Sequence, residues 1–327
     1  TMAERLVAAL SHPYQVRSEV VVISASIGIA LAPKDGKTPS EVLKNADVAL
    51  YEMKANGKSG CRFYDTALKI KRDKIKNEQG ALRRALKNSE FELHYQPIFC
   101  ARTGQIASCE ALLRWRHPTQ GLRPPAEFIG LAEETGMIVE IGNWVIEQAC
   151  ADAREWPEAV GVSVNVSPIQ LLNPSLEETI YRVLAKSQLS PARLEIEVTE
   201  SAFIGGGTCA TERLQRLSAA GIQIALDDFG TGFSSLSLLQ QAPFTRLKVD
   251  RSFVRDLPDS VKSMNIVRSI ISLSQGLGLN VTVEGVETQE QLATVKREGC
   301  SHIQGYIYSK PQPKELIEGL FSSLQRG

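Results

Sequence analysis

From Ser89 onward the chain alternates short β-rich runs with helical stretches, and this alternation restricts the possible folds more than any other feature. The runs are "FELHYQPIF", "CEALLRW", "VSVNVS", "LEIEVTE", "QIALDDF", "RLKVD", "NVTVEGVE" and "HIQGYIY". Eight strands with intervening helices over about 240 residues match the size of a (β/α)8 barrel. Between the first two runs stands only "CARTGQIAS", too short for a helical crossover, so those strands are expected to pair antiparallel. The predicted fold is α/β: a modified (β/α)8 TIM-like barrel with one antiparallel strand, preceded by a small partial α/β piece.

That N-terminal piece reads as a helix from Ala3 to Leu10, one strand from Val20 to Leu31, a "PKDGKTPS" turn, and a helix around "EVLKNADVALYEMKANGK". Two helices on a short strand pair bury little surface, so residues 1–65 are read as part of a domain. From Thr66 to Lys87, Leu68, Ile75, Leu82 and Leu86 recur at helical spacing among many charges. Residues 66–88 are therefore expected to form a connecting helix with a solvated basic face, and 89–327 the barrel.

Lysine plus arginine balances aspartate plus glutamate, 37 against 37, so no overall field draws the chain to a nucleic-acid polymer or an anionic membrane. No run approaches eighteen uninterrupted apolar residues, and no signal-peptide pattern opens the sequence, which points to a soluble, cytoplasmic chain without membrane contact of its own. The six cysteines are scattered without a CxxC pair, which argues against zinc and against a disulfide framework.

Side chains alternate along a strand, so in "LEIEVTE" Leu194, Ile196 and Val198 face one way and Glu195, Glu197 and Thr199 the other. With helices covering the apolar side, the polar side must point into the barrel. Ser163 and Asn165 follow the same logic, and Lys248 shares a face with Asp250. Barrel interiors are ordinarily filled with branched apolar side chains, and active sites lie at the C-terminal strand ends. Convergence there of Glu110, Glu197, Asp227, Asp228, Glu284 and Glu287 would be costly: two unit charges 4 Å apart repel by roughly 4 kcal/mol at an effective dielectric of 20. Lys248 alone cannot balance them. All-oxygen donors fit magnesium, manganese or calcium rather than zinc, and the adjacent Asp227 and Asp228 can hold two ions with Asp227 as the bridge. Glu195 is expected to sit deeper or in a salt bridge, and His94 and His117 are read as structural.

Taken together, "YQPI", "EALLRW" with "HP", "NVS", "EVTE", "DDFGTGFSSL", "KVD", "EGVE" and "QGY" with "SKP" resemble the EAL-domain cyclic di-GMP phosphodiesterases over nearly three quarters of the chain. The N-terminal "SASIGIALAPKDG" and "NADVALYEMKANGKSGCRFYD" resemble the back end of a GGDEF domain. The chain is thus expected to be a fragment of a longer GGDEF-EAL protein whose upstream segments could tether it to a membrane. The resemblance implies that Glu110, Asn165, Glu197 and Asp227 ligate a first ion, that Asp227 and Asp228 hold a second, and that Glu287 and Gln304 lie nearby. It implies that Lys248 touches the attacking water, and that Glu284 positions a metal or acts as general base. Gln96, Leu112, Arg114 and Asp250 would contact substrate, together with Gln304. Glu200 would brace the loop holding Gly230, Thr231 and Gly232, which is linked to homodimerisation; Phe233 departs from the usual tyrosine there.

The implied reaction opens cyclic di-GMP to linear pGpG with Mg2+ or Mn2+, Ca2+ being inhibitory. Two ions can polarise the phosphodiester and acidify a bridging water. A catalytically inactive cyclic di-GMP sensor is the alternative, although such members lack one or more acids that are all present here. A carboxylate-metal lyase on the same architecture leaves "EALLR" and "DDFGTG" unexplained.

Overall fold

The computed structural model describes residues 1–17, 19–55, 59–203, 207–230 and 236–324. It divides into two compact units, Thr1–Leu82 and Arg83–Gly327.

In the first unit, α1 (Met2–Leu10) starts on a capping box between Thr1 and Glu4. The hairpin of β1 (Tyr14–Val16) and β2 (Glu19–Val21) follows, then β3 (Ser26–Ile29), α2 (Pro39–Ala55) and β4 (Gly60–Phe63). The single strand expected from Val20 to Leu31 is therefore two strands. Its first part pairs antiparallel with β1 and its second pairs parallel with β4, so the backbone changes partner across residues 22–25. An unbroken apolar run carries no mark of such a change; Val20 and Val22 are in fact 63% and 67% exposed. At Gly28 a Cβ would lie 2.0 Å from the Ala46 carbonyl oxygen, so glycine lets β3 press against α2. The small core joins Val48, Ala49 and Leu68, with Tyr64 packed on it. The helix α3 (Thr66–Lys87) runs through the division between the units.

The second unit holds β5 (Phe91–Cys100), β6 (Ile106–His117), β7 (Gly121–Arg123), α4 (Ile129–Glu134), α5 (Ile138–Arg154), β8 (Gly161–Asn165), α6 (Pro168–Leu172), α7 (Leu176–Ser187) and β9 (Leu194–Thr199). It continues through α8 (Gly207–Ala219), β10 (Gln223–Phe229), α9 (Leu236–Gln241), β11 (Arg246–Val249), α10 (Val261–Gly276), β12 (Asn280–Val283), α11 (Gln289–Arg297), β13 (His302–Ile303), β14 (Gln312–Pro313) and α12 (Lys314–Leu324). Eight of these strands close a barrel in the order β5, β6, β8, β9, β10, β11, β12, β13 and back to β5. β5 runs antiparallel to both of its barrel neighbours, as the short link to β6 requires, and the remaining barrel pairings are parallel. The short strands β7 and β14 add to β6 and β5.

Local sequence sets the helix starts. Ser167 caps α6 in a capping box with Gln170, with Pro168 at the first turn, and Thr288 caps α11 in the same way with Gln291. Val162, Val164, Leu194, Ile196, Val198, Ile224, Leu226, Leu247, Val249, Val281 and Val283 are each at most 1% exposed. They form the wall beneath the helices, each contributing roughly 1.5–3 kcal/mol of burial. Their neighbours in sequence face inward, which leaves the barrel interior polar.

Candidate active site

Lys248 on β11 stands at the centre of the site. Its side chain is 1% exposed, and Nζ lies 2.6 Å from Glu197 of β9, 2.7 Å from Glu284 after β12, 3.4 Å from Asp227 of β10 and 3.5 Å from Glu110 of β6. Four carboxylates from four separate segments thus converge on one ammonium group. Glu110 is braced on both oxygens: Asn165 Nδ2 donates to Oε1 at 2.7 Å and Gln304 Nε2 to Oε2 at 2.7 Å. The Gln304 amide also donates to Gln96 Oε1 at 3.1 Å, and Gln96 Nε2 in turn donates to the Ser309 carbonyl.

Asp227 and Asp228 share the mouth because β10 is irregular there. Leu226 is in register with Leu247 and Phe229 with Val249, so two aspartates stand opposite the single Lys248. This two-for-one bulge breaks the alternation that would otherwise send adjacent side chains to opposite faces. Asp228 takes a φ of +54°, the left-handed region that aspartate tolerates better than most residues. Its N–H donates to Asp227 Oδ1 at 2.9 Å. Gly230 follows at φ +96°, and its N–H donates to Glu200 Oε1 at 3.3 Å. Thr231, Gly232 and Phe233 lie outside the described residues.

Burial opposes ionisation of Glu110, but Lys248 and the two amide donors overcome it and hold this carboxyl below its ordinary value. Glu197 is pushed well up: burial and the charges of Glu110, Asp227 and Glu195 outweigh Lys248. Burial likewise drives Glu284 up to about 8, aided by Asp227 and Glu110 and opposed by Lys248. Asp228 is raised by burial and by Asp227 and Asp250. One ammonium is therefore insufficient for the acids around it.

Among the described residues, no three Asp, Glu, His or Cys side chains surround a common metal-sized point; the convergence is on the lysine nitrogen. The donor chemistry nevertheless fits a hard divalent cation. Among the described residues Glu197 Oε1 and Gln304 Oε1 are buried without a hydrogen-bond partner, both are oxygens, and negative charge is in excess.

Arg114 is half-buried; its guanidinium donates to the Leu113 carbonyl, and burial lowers its pKa. Leu112 lines a cavity of about 460 Å³ that Asn165 also borders. Asp250 accepts from the Ser252 N–H as a helix cap, at the end of β11. Glu287 is exposed, and among the described residues no hydrogen bond or ion pair joins its carboxylate to the cluster. Glu195 lies below, paired with Arg246 at 2.7 Å. The bulge, the Ser309 carbonyl and the Arg246 partnership were not read from sequence; for Arg246 the signal was its i, i+2 spacing to Lys248.

A closed barrel with one antiparallel strand and an acid-ringed lysine at its mouth matches a known domain type: residues 79–311 fit the model of the EAL domain, and the chain belongs to that family. Residues 1–60 match the "Diguanylate cyclase, GGDEF domain" family. Among individual proteins, the chain is 40% identical over 321 residues to the bifunctional diguanylate cyclase/cyclic di-GMP phosphodiesterase MucR of Pseudomonas aeruginosa, covering 97% of this chain and 47% of that one. It is equally 40% identical to the cyclic di-GMP phosphodiesterase NbdA of the same organism, covering 97% and 41%. A solved structure, the MucR phosphodiesterase in complex with c-di-GMP, superposes with a TM-score of 0.71 at 39% identity, covering 74% of this chain and 99% of that one. The chain spans less than half the length of these two curated relatives. Among the described residues no helix is long and apolar enough to cross a membrane.

Proposed function

We propose that this chain is a cyclic di-GMP phosphodiesterase that breaks one ester bond of the cyclic dinucleotide and releases linear pGpG. The observation that carries this reading is the ring of Glu110, Glu197, Asp227 and Glu284 around Lys248 at the barrel mouth. The kinship with MucR and NbdA supplies the substrate class. Mg2+ or Mn2+, held by Glu110, Asn165, Glu197, Asp227 and Asp228 in a two-ion site with Glu287 nearby, would neutralise the phosphate and acidify water when bound, and Ca2+ would inhibit.

The chain's own residues supply the rest. Arg114, which has a backbone carbonyl as its hydrogen-bond partner, is available for the substrate phosphate. Gln96, Leu112, Asp250 and Gln304 hold the nucleotide around it. Lys248 orients the attacking water. Glu284 accepts the proton of that water as the water oxygen bonds to phosphorus, the P–O bond to one ribose breaks, and the departing ribose oxygen takes a proton from solvent. Residues 1–65 are the C-terminal part of a GGDEF domain and 66–88 the connecting helix. A homodimer forms through the segment after Asp228, with Glu200 and Gly230 linking it to the site.

Incubation of the purified chain with cyclic di-GMP and Mg2+, followed by chromatographic separation, is expected to yield pGpG. Binding without a linear product would sink the hydrolase reading in favour of a sensor.

A further inference from the structure

Beneath the catalytic ring lies a second buried ion pair. Arg246 Nε donates to Glu195 Oε2 at 2.7 Å, and Arg246 Nη1 donates to Thr282 Oγ1 at 3.0 Å. Both side chains are nearly buried, at 12% and 7% exposed. Glu195 stands two residues before Glu197 on β9, and Arg246 two residues before Lys248 on β11, so each pair shares an inward face. Between those strands runs β10, whose Ala225 is in register with both Glu197 and Arg246. A methyl group at this position leaves the long side chains of β9 and β11 free to meet across the strand between them. The result is two stacked ion pairs, Glu195 with Arg246 below and Glu197 with Lys248 above. Among the described residues Glu195 Oε1 is buried without a hydrogen-bond partner, so the Arg246 contact to Oε2 is what holds this carboxylate.

We propose that Arg246 is a positioning residue: by occupying Glu195 it keeps the Lys248 ammonium directed upward, onto Glu197 and Glu284. The lysine has a long flexible stem and lies one strand repeat of about 7 Å above Arg246. Without the guanidinium, Glu195 becomes a buried carboxylate with no cation, and Lys248, two residues along β11 from Arg246, is able to answer it. The ammonium then leaves the catalytic ring for the layer below. The inference rests on the catalytic role proposed for Lys248, but the direction in which Lys248 points is independent of it.

The test compares R246M, E195Q and the double variant E195Q/R246M in the full chain with Mg2+ and cyclic di-GMP. R246M is expected to lose about 10- to 100-fold in kcat, the range seen when groups supporting a reactive site are removed, with KM changed less than about threefold. E195Q leaves no carboxylate to attract Lys248 and should stay within about threefold of the parent. The double variant should recover most of the R246M loss. A crystal structure of R246M should show Nζ moved from Glu197 to Glu195, a readout that holds whether or not the parent chain turns over substrate. Unchanged kcat in R246M, a double variant as impaired as R246M, or Nζ still on Glu197 would overturn the proposal. If R246M fails to fold, E195Q and the double variant decide: both near parental activity support it, and a large loss in either defeats it.

Discussion

Replacing Lys248 by methionine is the most direct probe of the charge balance at the barrel mouth. The ammonium lies 2.6 Å from Glu197 and 2.7 Å from Glu284, and at an effective dielectric of 20 such a contact is worth ~6 kcal/mol before desolvation once the carboxyl is ionised. Withdrawal of the three groups from water offsets most of that attraction, and removing one partner of such a buried pair typically destabilises by about 3–5 kcal/mol. The loss depends on pH in a defined direction. Burial, with Asp227 and Glu110 and against Lys248, raises Glu284 from 4.5 to about 8 in the folded chain. The native state therefore binds an additional proton across that interval. Its contribution is fully present below pH 4.5 and fades as pH rises to 8, at up to ~1.4 kcal/mol per unit. In K248M the opposing lysine charge is gone, and Glu284 stays protonated to higher pH. The deficit of K248M relative to the parent should thus be near its full value at pH 8.5 and smaller at pH 5, where the contribution of Glu110, held below its ordinary value, remains. Urea denaturation in EDTA, followed by tryptophan fluorescence at both pH values, measures it. Equal stability at pH 8.5, or the same deficit at both pH values, would refute the reasoning.

E110A removes the acceptor that Asn165 and Gln304 share, and should abolish turnover along with the rise in melting temperature produced by Mg2+; retained turnover contradicts its assignment as a ligand. R114A should raise KM for cyclic di-GMP about 10-fold or more, through loss of a charge-assisted phosphate contact, without changing the melting temperature by more than a few degrees. Glu177 is held down at about 2, chiefly by hydrogen bonding from Arg216 and then, against burial, from Arg213. Being depressed from 4.5, it contributes stability above that pH that is lost as pH falls toward 2. E177Q should remove about 1–3 kcal/mol at pH 7, discounted because Arg216 is half exposed, and flatten the acid limb of the stability profile.

The strand ends show where sequence reading stops. Period-two alternation in "LEIEVTE" suffices to send Glu195 and Glu197 to one side and Leu194, Ile196 and Val198 to the other, because the pleat leaves no third choice. The same rule fails at Asp227 and Asp228, where a bulge places both opposite Lys248. It failed also from Val20 to Leu31, where a continuous apolar run conceals a change of partner between β2 and β3.

Sequence alone determined the barrel, the antiparallel first strand, the inward acids and the lysine among them, since these follow from periodicity and loop length along the chain. Tertiary structure decided which acids meet: Glu110, Glu197, Asp227 and Glu284 reach Lys248, Glu287 stays exposed, and Glu195 belongs to Arg246 one layer down. That sorting depends on the register between strands up to 174 positions apart in the chain, from Glu110 to Glu284, and on a small Ala225 between two long pairs. No local pattern encodes such distances, because they exist only once the sheet has closed.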